Sequence, residues 1–255
     1  MTSIIYGPVS SWRLGRSLGI DLLSTNEKTC SFDCIYCQLG RTIYSYFDRK
    51  EFVTISQLID DLSKLDKPDV DYATFSGVGE PTLADNLGAA INIAKSLLEL
   101  PVAVLTNSSL LYREEVREEL ANADVVVAKL DAPDQEIFSL INRPVSDLSF
   151  QNTVDSIKKF RSGYNGKFAL QIMFIDANKK YASKIAALAK ELHPDEVQIN
   201  TPLRPCGVKS LPEAKISQIK QRFSEFHNVI TVYEAKKPGV VPLDLKETMK
   251  RRPNL

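Results

Sequence analysis

Residues 71–106 read DYATFSGVGEPTLADNLGAAINIAKSLLELPVAVLT, and this stretch decides the fold. Its first six residues, 71–76, have the β-branched and aromatic character of a strand, and a second such run covers 102–106. Between them Ala90, Ile91, Ile93, Ala94, Leu97 and Leu98 recur at helical spacing behind Asp85, which predicts an amphipathic helix over 86–100. Strand, helix, strand in so short a space is one unit of a parallel sheet.

The same alternation extends in both directions, from residue 18 to about residue 226. Further strands are expected over 18–23, 123–130, 168–175 and 196–200, which makes six. Helices are expected over 56–65 behind Thr54, 113–122, 152–161, 183–192 and 212–226, with a short one over 135–141. One more strand is expected over 229–233. Six such units predict an α/β fold, a partial (β/α)6 TIM-like barrel with a mostly parallel sheet and reactive groups where strands end. Residues 1–235 form the barrel domain in this reading. After Lys236, Lys237, Pro238 and Gly239, residues 236–255 form a C-terminal extension that either caps the barrel or begins a further segment.

The 255 residues carry 32 lysines plus arginines and 32 aspartates plus glutamates, so no net field favours a polyanion or a membrane surface. Any nucleic-acid partner needs a local patch. The apolar runs at 102–105 and 125–128 fall far short of a bilayer span, and the N-terminus has no secretory apolar core. A cytoplasmic protein with no membrane partner is expected.

Three of the four cysteines fall in one run, Cys30-Ser-Phe-Asp-Cys34-Ile-Tyr-Cys37. Residues this close cannot all pair as disulfides, and a reducing compartment makes the run a metal site. Structural zinc wants four closed ligands, yet Cys206, His193 and His227 are far along the chain and Asp33 is a poor substitute. A [4Fe-4S] cluster on three thiolates keeps one iron open to another ligand, and the spacing favours it over zinc.

The C-x3-C-x2-C spacing, with aromatic Tyr36 before the last cysteine, resembles the signature of the radical S-adenosylmethionine (SAM) superfamily. That resemblance implies that Cys30, Cys34 and Cys37 hold the cluster, that SAM chelates the open iron, and that Tyr36 lies against the adenine. It also implies reductive cleavage of SAM to a 5′-deoxyadenosyl radical, fed by an electron donor such as flavodoxin or ferredoxin.

The strand-end run Ser76-Gly77-Val78-Gly79-Glu80-Pro81 resembles the superfamily's G-G-E-P element, which binds the SAM amino group. A dinucleotide fingerprint is excluded because Thr82 holds the third glycine position. Lys129 and Asp131 share one face at the end of 123–130. The resemblance gives the methionine carboxylate to Lys129 and the ribose to Asp131; a plain strand-end ion pair is the alternative. Asn107 and Ser108 follow 102–106 as ligand contacts or loop caps. Gln171 with Met173, and Gln198 with Asn200, place polar groups on otherwise apolar strands.

Arg204 and Cys206 follow 196–200 on the rim expected for the cluster. Arg204 is a candidate for an anionic substrate group. Cys206 is the candidate catalytic residue, as a hydrogen-atom donor or ligand of a second metal, although a lone cysteine is more often an inert thiol.

Residues 7–21, together with Gln38-Leu39-Gly40-Arg41-Thr42, resemble the wyosine-synthetase-related, tRNA-modification-like radical SAM proteins. This makes a tRNA base a possible substrate and Arg13, Arg16 and Arg41 a possible anion patch, with pairing to Asp21 or Asp33 as the alternative. Two other readings remain: a glycyl-radical-enzyme-type activase acting on a protein, and a non-catalytic iron–sulfur electron-transfer protein.

Overall fold

A computed structural model of the chain describes residues 3–45, 47–66, 69–145 and 148–253. Strands β1 (Ile5–Ser11) and β2 (Gly15–Ile20) form an antiparallel hairpin, and β3 (Thr29–Cys30) pairs with β4 (Tyr44–Ser45) beside the main sheet. Helix α1 (Ile55–Leu62) follows, capped by Thr54, whose hydroxyl accepts from the Gln57 amide while the Gln57 side chain returns to the Thr54 amide.

The alternation then runs β5 (Tyr72–Phe75), α2 (Leu87–Leu98), β6 (Val102–Thr106), α3 (Glu114–Leu120), β7 (Val125–Lys129), α4 (Gln135–Ile141), α5 (Phe150–Gly163), β8 (Lys167–Met173), α6 (Ala182–Glu191) and β9 (Glu196–Asn200). Helix α7 (Glu213–Lys220), β10 (Val229–Thr231) and α8 (Leu245–Arg251) complete it.

The main sheet has eight strands in the order β1-β2-β5-β6-β7-β8-β9-β10, all parallel except β1. It is a curled half-barrel, with six β/α units at its centre as the alternation predicts. Side-chain period decides its two faces. Leu18, Phe75, Val104, Val126, Leu170 and Val197 point outward into the core shared with the helices. Leu14, Ala103, Val125, Val127 and Ala169 make a second, small apolar cluster on the inner face. Above that floor the inner wall is polar: the Ser17 and Thr74 hydroxyls bond at 2.7 Å, and Gln198 is 1% exposed.

Two elements differ from expectation. The first sheet strand begins at Gly15 rather than 18 and is preceded by β1, so part of the run read as a motif, 7–21, is a β-hairpin. The expected helix 212–226 stops at Lys220, where a 3-10 turn over Gln221–Phe223 tightens its end. Within 236–255, α8 packs on β1: Leu243 N donates to Gly7 O at 2.6 Å and Gly7 N to Thr248 Oγ1 at 2.9 Å. Arg251 from that helix is 1% exposed. Among the described residues no helix is long and apolar enough to cross a membrane.

Candidate functional site

The cysteine loop leaves β3 at the C-terminal end of the sheet and is held there by its neighbours' backbones. Thr29 N donates to Val78 O and Glu80 N to Thr29 O, both at 3.1 Å, which locks the loop to the run 76–81. That contact explains two glycines. A Cβ on Gly79 would sit 1.5 Å from Thr29 O, and one on Gly77 would fall 2.1 Å from Asp21 Cγ. On the other side, Asp33 N and Ile35 N donate to Arg143 O and Ile141 O at 3.0 and 2.9 Å, tying the loop to the end of α4.

Cys30 is buried, and Cys34 and Cys37 are partly so; none is in a disulfide. Asn107 Nδ2 lies 3.5 Å from Cys30 Sγ and Asn142 Nδ2 lies 3.6 Å from Cys34 Sγ. Among the described residues, no three cysteine, histidine or carboxylate side chains close on a single metal ion. The loop is therefore more open than a mononuclear zinc site. Burial pushes the Cys30 thiol up to about 12, helped by Glu80 and Cys34, and Cys34 up to about 11 against the pull of Lys129. Two thiols that resist ionisation, Cys30 and Cys34, need a cationic partner to become thiolates. Three sulfur donors with no fourth suit a cluster that keeps one iron open.

Glu80 is 2% exposed and gathers the ends of two strands. Its Oε1 accepts from the Thr82 and Thr106 hydroxyls, each at 2.7 Å, and its Oε2 accepts from Asn107 N at 2.6 Å. Burial raises its carboxyl, while these hydrogen bonds oppose the rise. Ser108, at φ 73°, turns the chain behind Asn107.

The structure brings Tyr36, Lys129 and Asp131 together. The Tyr36 hydroxyl donates to Asp131 Oδ2, Lys129 Nζ is 3.5 Å from the same oxygen, and Lys129 also lies 4.9 Å from the Tyr36 ring centre. Asp131 Oδ1 accepts from Met173 N at 2.7 Å, which draws β8 into the group. Sequence reasoning missed Asn142, whose Nδ2 lies 2.9 Å from Asp131 Oδ2 and 3.0 Å from Tyr36 Oη. It missed Asn178 too, which holds Asp131 O and Met173 O at 2.8 Å each. Neither sits in a motif; a buried asparagine just past an apolar helix was the available signal for Asn142. A narrow crevice runs between Phe32, Asn107, Lys129, Asp131 and Asn142.

The remaining candidates scatter. Gln198 donates to Glu196 Oε1 at 2.7 Å, and Asn200 is buried at the end of β9. Gln171 meets Leu130 only through its carbonyl, 3.1 Å from Leu130 N. Cys206 Sγ donates to Val208 O at 3.2 Å, and a Cβ on the neighbouring Gly207 would approach Ile35 O of the cysteine loop to 3.0 Å. His193 and His227 are exposed.

Arg13, Arg16 and Arg41 form no common patch. Arg16 pairs with Asp69 and Asp71 at the hairpin, and exposed Arg41 lies 3.7 Å from Asp33. Asp21 is bound by Arg251, at 2.9 Å, rather than by either.

A family model described as the radical SAM superfamily matches residues 28–194. A UPF0026 protein of Methanocaldococcus jannaschii is 37% identical over 235 residues, covering 89% of this chain and 72% of the relative. A UPF0026 protein of Synechocystis sp. is 40% identical over 204 residues, covering 79% and 76%. Among solved structures, Streptococcus suis SuiB bound to S-adenosylmethionine superposes with a TM-score of 0.64 at 14% identity over 86% of this chain. The chain spans about half the length of SuiB, 50%.

Proposed function

Because this chain belongs to the radical SAM superfamily, whose enzymes use a [4Fe-4S] cluster and S-adenosylmethionine, we propose that it holds that cluster on Cys30, Cys34 and Cys37 and cleaves SAM reductively. The observation that carries this reading is the pair of hydrogen bonds from Thr29 to Val78 and from Glu80 to Thr29, which set the three-thiol loop against the glycine run. Held by Cys30, Cys34 and Cys37, a cluster would supply the one-electron reduction that cleaves SAM to methionine and a 5′-deoxyadenosyl radical for hydrogen abstraction.

The chain's own residues do the positioning. Among the described residues Glu80 Oε2 has a single donor, Asn107 N, and so keeps acceptor capacity for the SAM ammonium. Lys129 supplies the cation for the methionine carboxylate. Asp131 and Tyr36 form the adenosine side, held in place by Asn142. The buried wall around them excludes water from the radical.

Anaerobic reconstitution with iron and sulfide, reduction by dithionite and chromatography after SAM addition test this. 5′-Deoxyadenosine is expected, and its absence from a confirmed four-iron protein overturns the reading. Cys34→Ala is expected to lose both iron and cleavage, while Cys206→Ala keeps both.

A low-potential flavodoxin or ferredoxin is the proposed electron source, in a reducing cytoplasm. A tRNA base as substrate rests on the resemblance of 7–21 and 38–42 to the wyosine-related proteins. It predicts salt-sensitive tRNA binding.

A further inference from the structure

Arg204 and Arg252, from distant parts of the chain, are linked beside the cysteine loop, and among the described residues no carboxylate pairs with either of them or with Arg13. Arg13 rises from the β1–β2 turn, Arg204 from the loop after β9, and Arg252 from the end of α8. Arg204 Nη1 donates to Gln38 Oε1 at 2.8 Å, and Gln38 is the residue after Cys37. The Gln38 amide donates in turn to Arg251 O at 3.0 Å, and Arg252 Nη1 donates to that same carbonyl at 3.0 Å. Arg252 Nη2 reaches Ser76 Oγ, also at 3.0 Å, where the glycine run begins. Three hydrogen bonds, through Gln38 and the Arg251 carbonyl, therefore join Arg204 to Arg252 along the rim of the proposed cluster site.

Arg13, from the β1–β2 turn, is a third arginine without a carboxylate partner among the described residues. The positive charge that acts most strongly on both Arg13 and Arg204 is that of Arg252, and burial together with that repulsion pushes Arg13 down to about 9 and Arg204 down to about 10. Arg13 Nε is shut off from solvent with no hydrogen-bond partner. Glu196, the carboxylate that acts on Arg13, is already committed to Lys167 Nζ at 2.7 Å, Asn228 Nδ2 at 3.0 Å and Gln198 Nε2 at 2.7 Å. Arg251, next along the chain, shows the contrast: Asp21 and Glu247 lie 2.9 and 2.6 Å from it. One arginine here is neutralised by two carboxylates and its three neighbours by none.

Half-buried guanidiniums without counter-charge repel one another, and a ligand of at least two negative charges with several acceptor oxygens relieves that repulsion. A phosphate monoester meets this description, whereas a carboxylate or phosphodiester brings one charge. We propose that Arg13, Arg204 and Arg252 bind a phosphate monoester group of a small substrate, beside the proposed cluster site. This rests on the proposed reading of the cysteine loop, because the site's place beside the cluster is what makes its ligand a substrate.

The test uses the reconstituted holoprotein with SAM saturating, so that the methionine carboxylate is already accommodated. Inorganic phosphate is titrated against chloride at matched ionic strength and the shift in Tm is recorded. The expected result is a phosphate-specific rise in Tm that is reduced at least severalfold in R13Q, R204Q and R252Q and retained in R41Q, an exposed control. The three variants alter separate elements, so a failure of one to fold, read by circular dichroism, leaves two tests standing.

No phosphate-specific shift, or an equal shift in the three variants, overturns the inference. Loss of the shift on adding SAM also overturns it, since the arginines would then serve the cofactor. A phosphodiester such as a dinucleotide shifting Tm as strongly as phosphate overturns the monoester assignment. 5′-Deoxyadenosine formed without substrate is measured on the same samples. Normal cleavage without phosphate binding sinks only this inference, and phosphate binding without cleavage sinks only the proposed chemistry.

Discussion

Asp131 has a fully buried side chain, yet its two oxygens meet Tyr36, Asn142, the Met173 amide and Lys129. A buried carboxylate loses stability with each donor removed, by about 1–3 kcal/mol for a hydrogen bond left unmade. Asn142→Ala is therefore expected to lower the unfolding free energy by about that amount, and denaturant titration measures it. Tyr36→Phe should cost no more than Asn142→Ala, because the ring stays and only the hydroxyl goes. The cysteines were legible at this scale because three thiols within eight residues announce themselves. Asn142 was not, because its importance comes from lying beside Tyr36, 106 positions away.

At the scale of elements, the period-two and helical patterns revealed the β/α units because each strand buries one face under a helix and the other over the barrel interior. The β1–β2 hairpin was illegible for the opposite reason. Its Gly7-Pro8 and Trp12-Arg13 steps break the alternation, and the ion pair that ties β2 to the start of β5 joins Arg16 to Asp71, 55 positions away. Hydrogen bonds from Arg16 hold the Asp71 carboxyl below its ordinary range. With the folded value below the unfolded one, its contribution is present above about pH 4 and is lost as pH falls through the lower folded value. The Tm difference between wild type and Asp71→Asn should accordingly shrink in acid. Gly79→Ala tests another junction between elements. Its methyl group would meet the Thr29 carbonyl, a backbone atom with no rotamer to escape into. A loss of about 1–3 kcal/mol is expected, with iron loading falling while circular dichroism still reports an α/β protein.

Across the whole molecule, the buried pair between Asp21 and Arg251 joins positions 230 residues apart. Asp21 also accepts from Leu23, Ser24 and Val78 amides, so it fastens the end of β2, the glycine run and α8 at one point. Removing one partner of such a pair strands a charge, and Arg251→Met should cost about 3–5 kcal/mol. Asp21→Asn in the same background should recover part of that, which a double-mutant cycle reads. No local pattern in residues 236–255 announces this partnership, and for that reason the segment reads in sequence as a mere extension. The pairing also dictates an order of events during synthesis. As the ribosome works from Asp21 toward Arg251, the cysteines emerge early, but the carboxylate beneath the glycine run stays unpaired until α8 leaves the exit tunnel. The glycine run set against the thiol loop thus stands on a partner that the growing chain supplies only 230 residues later.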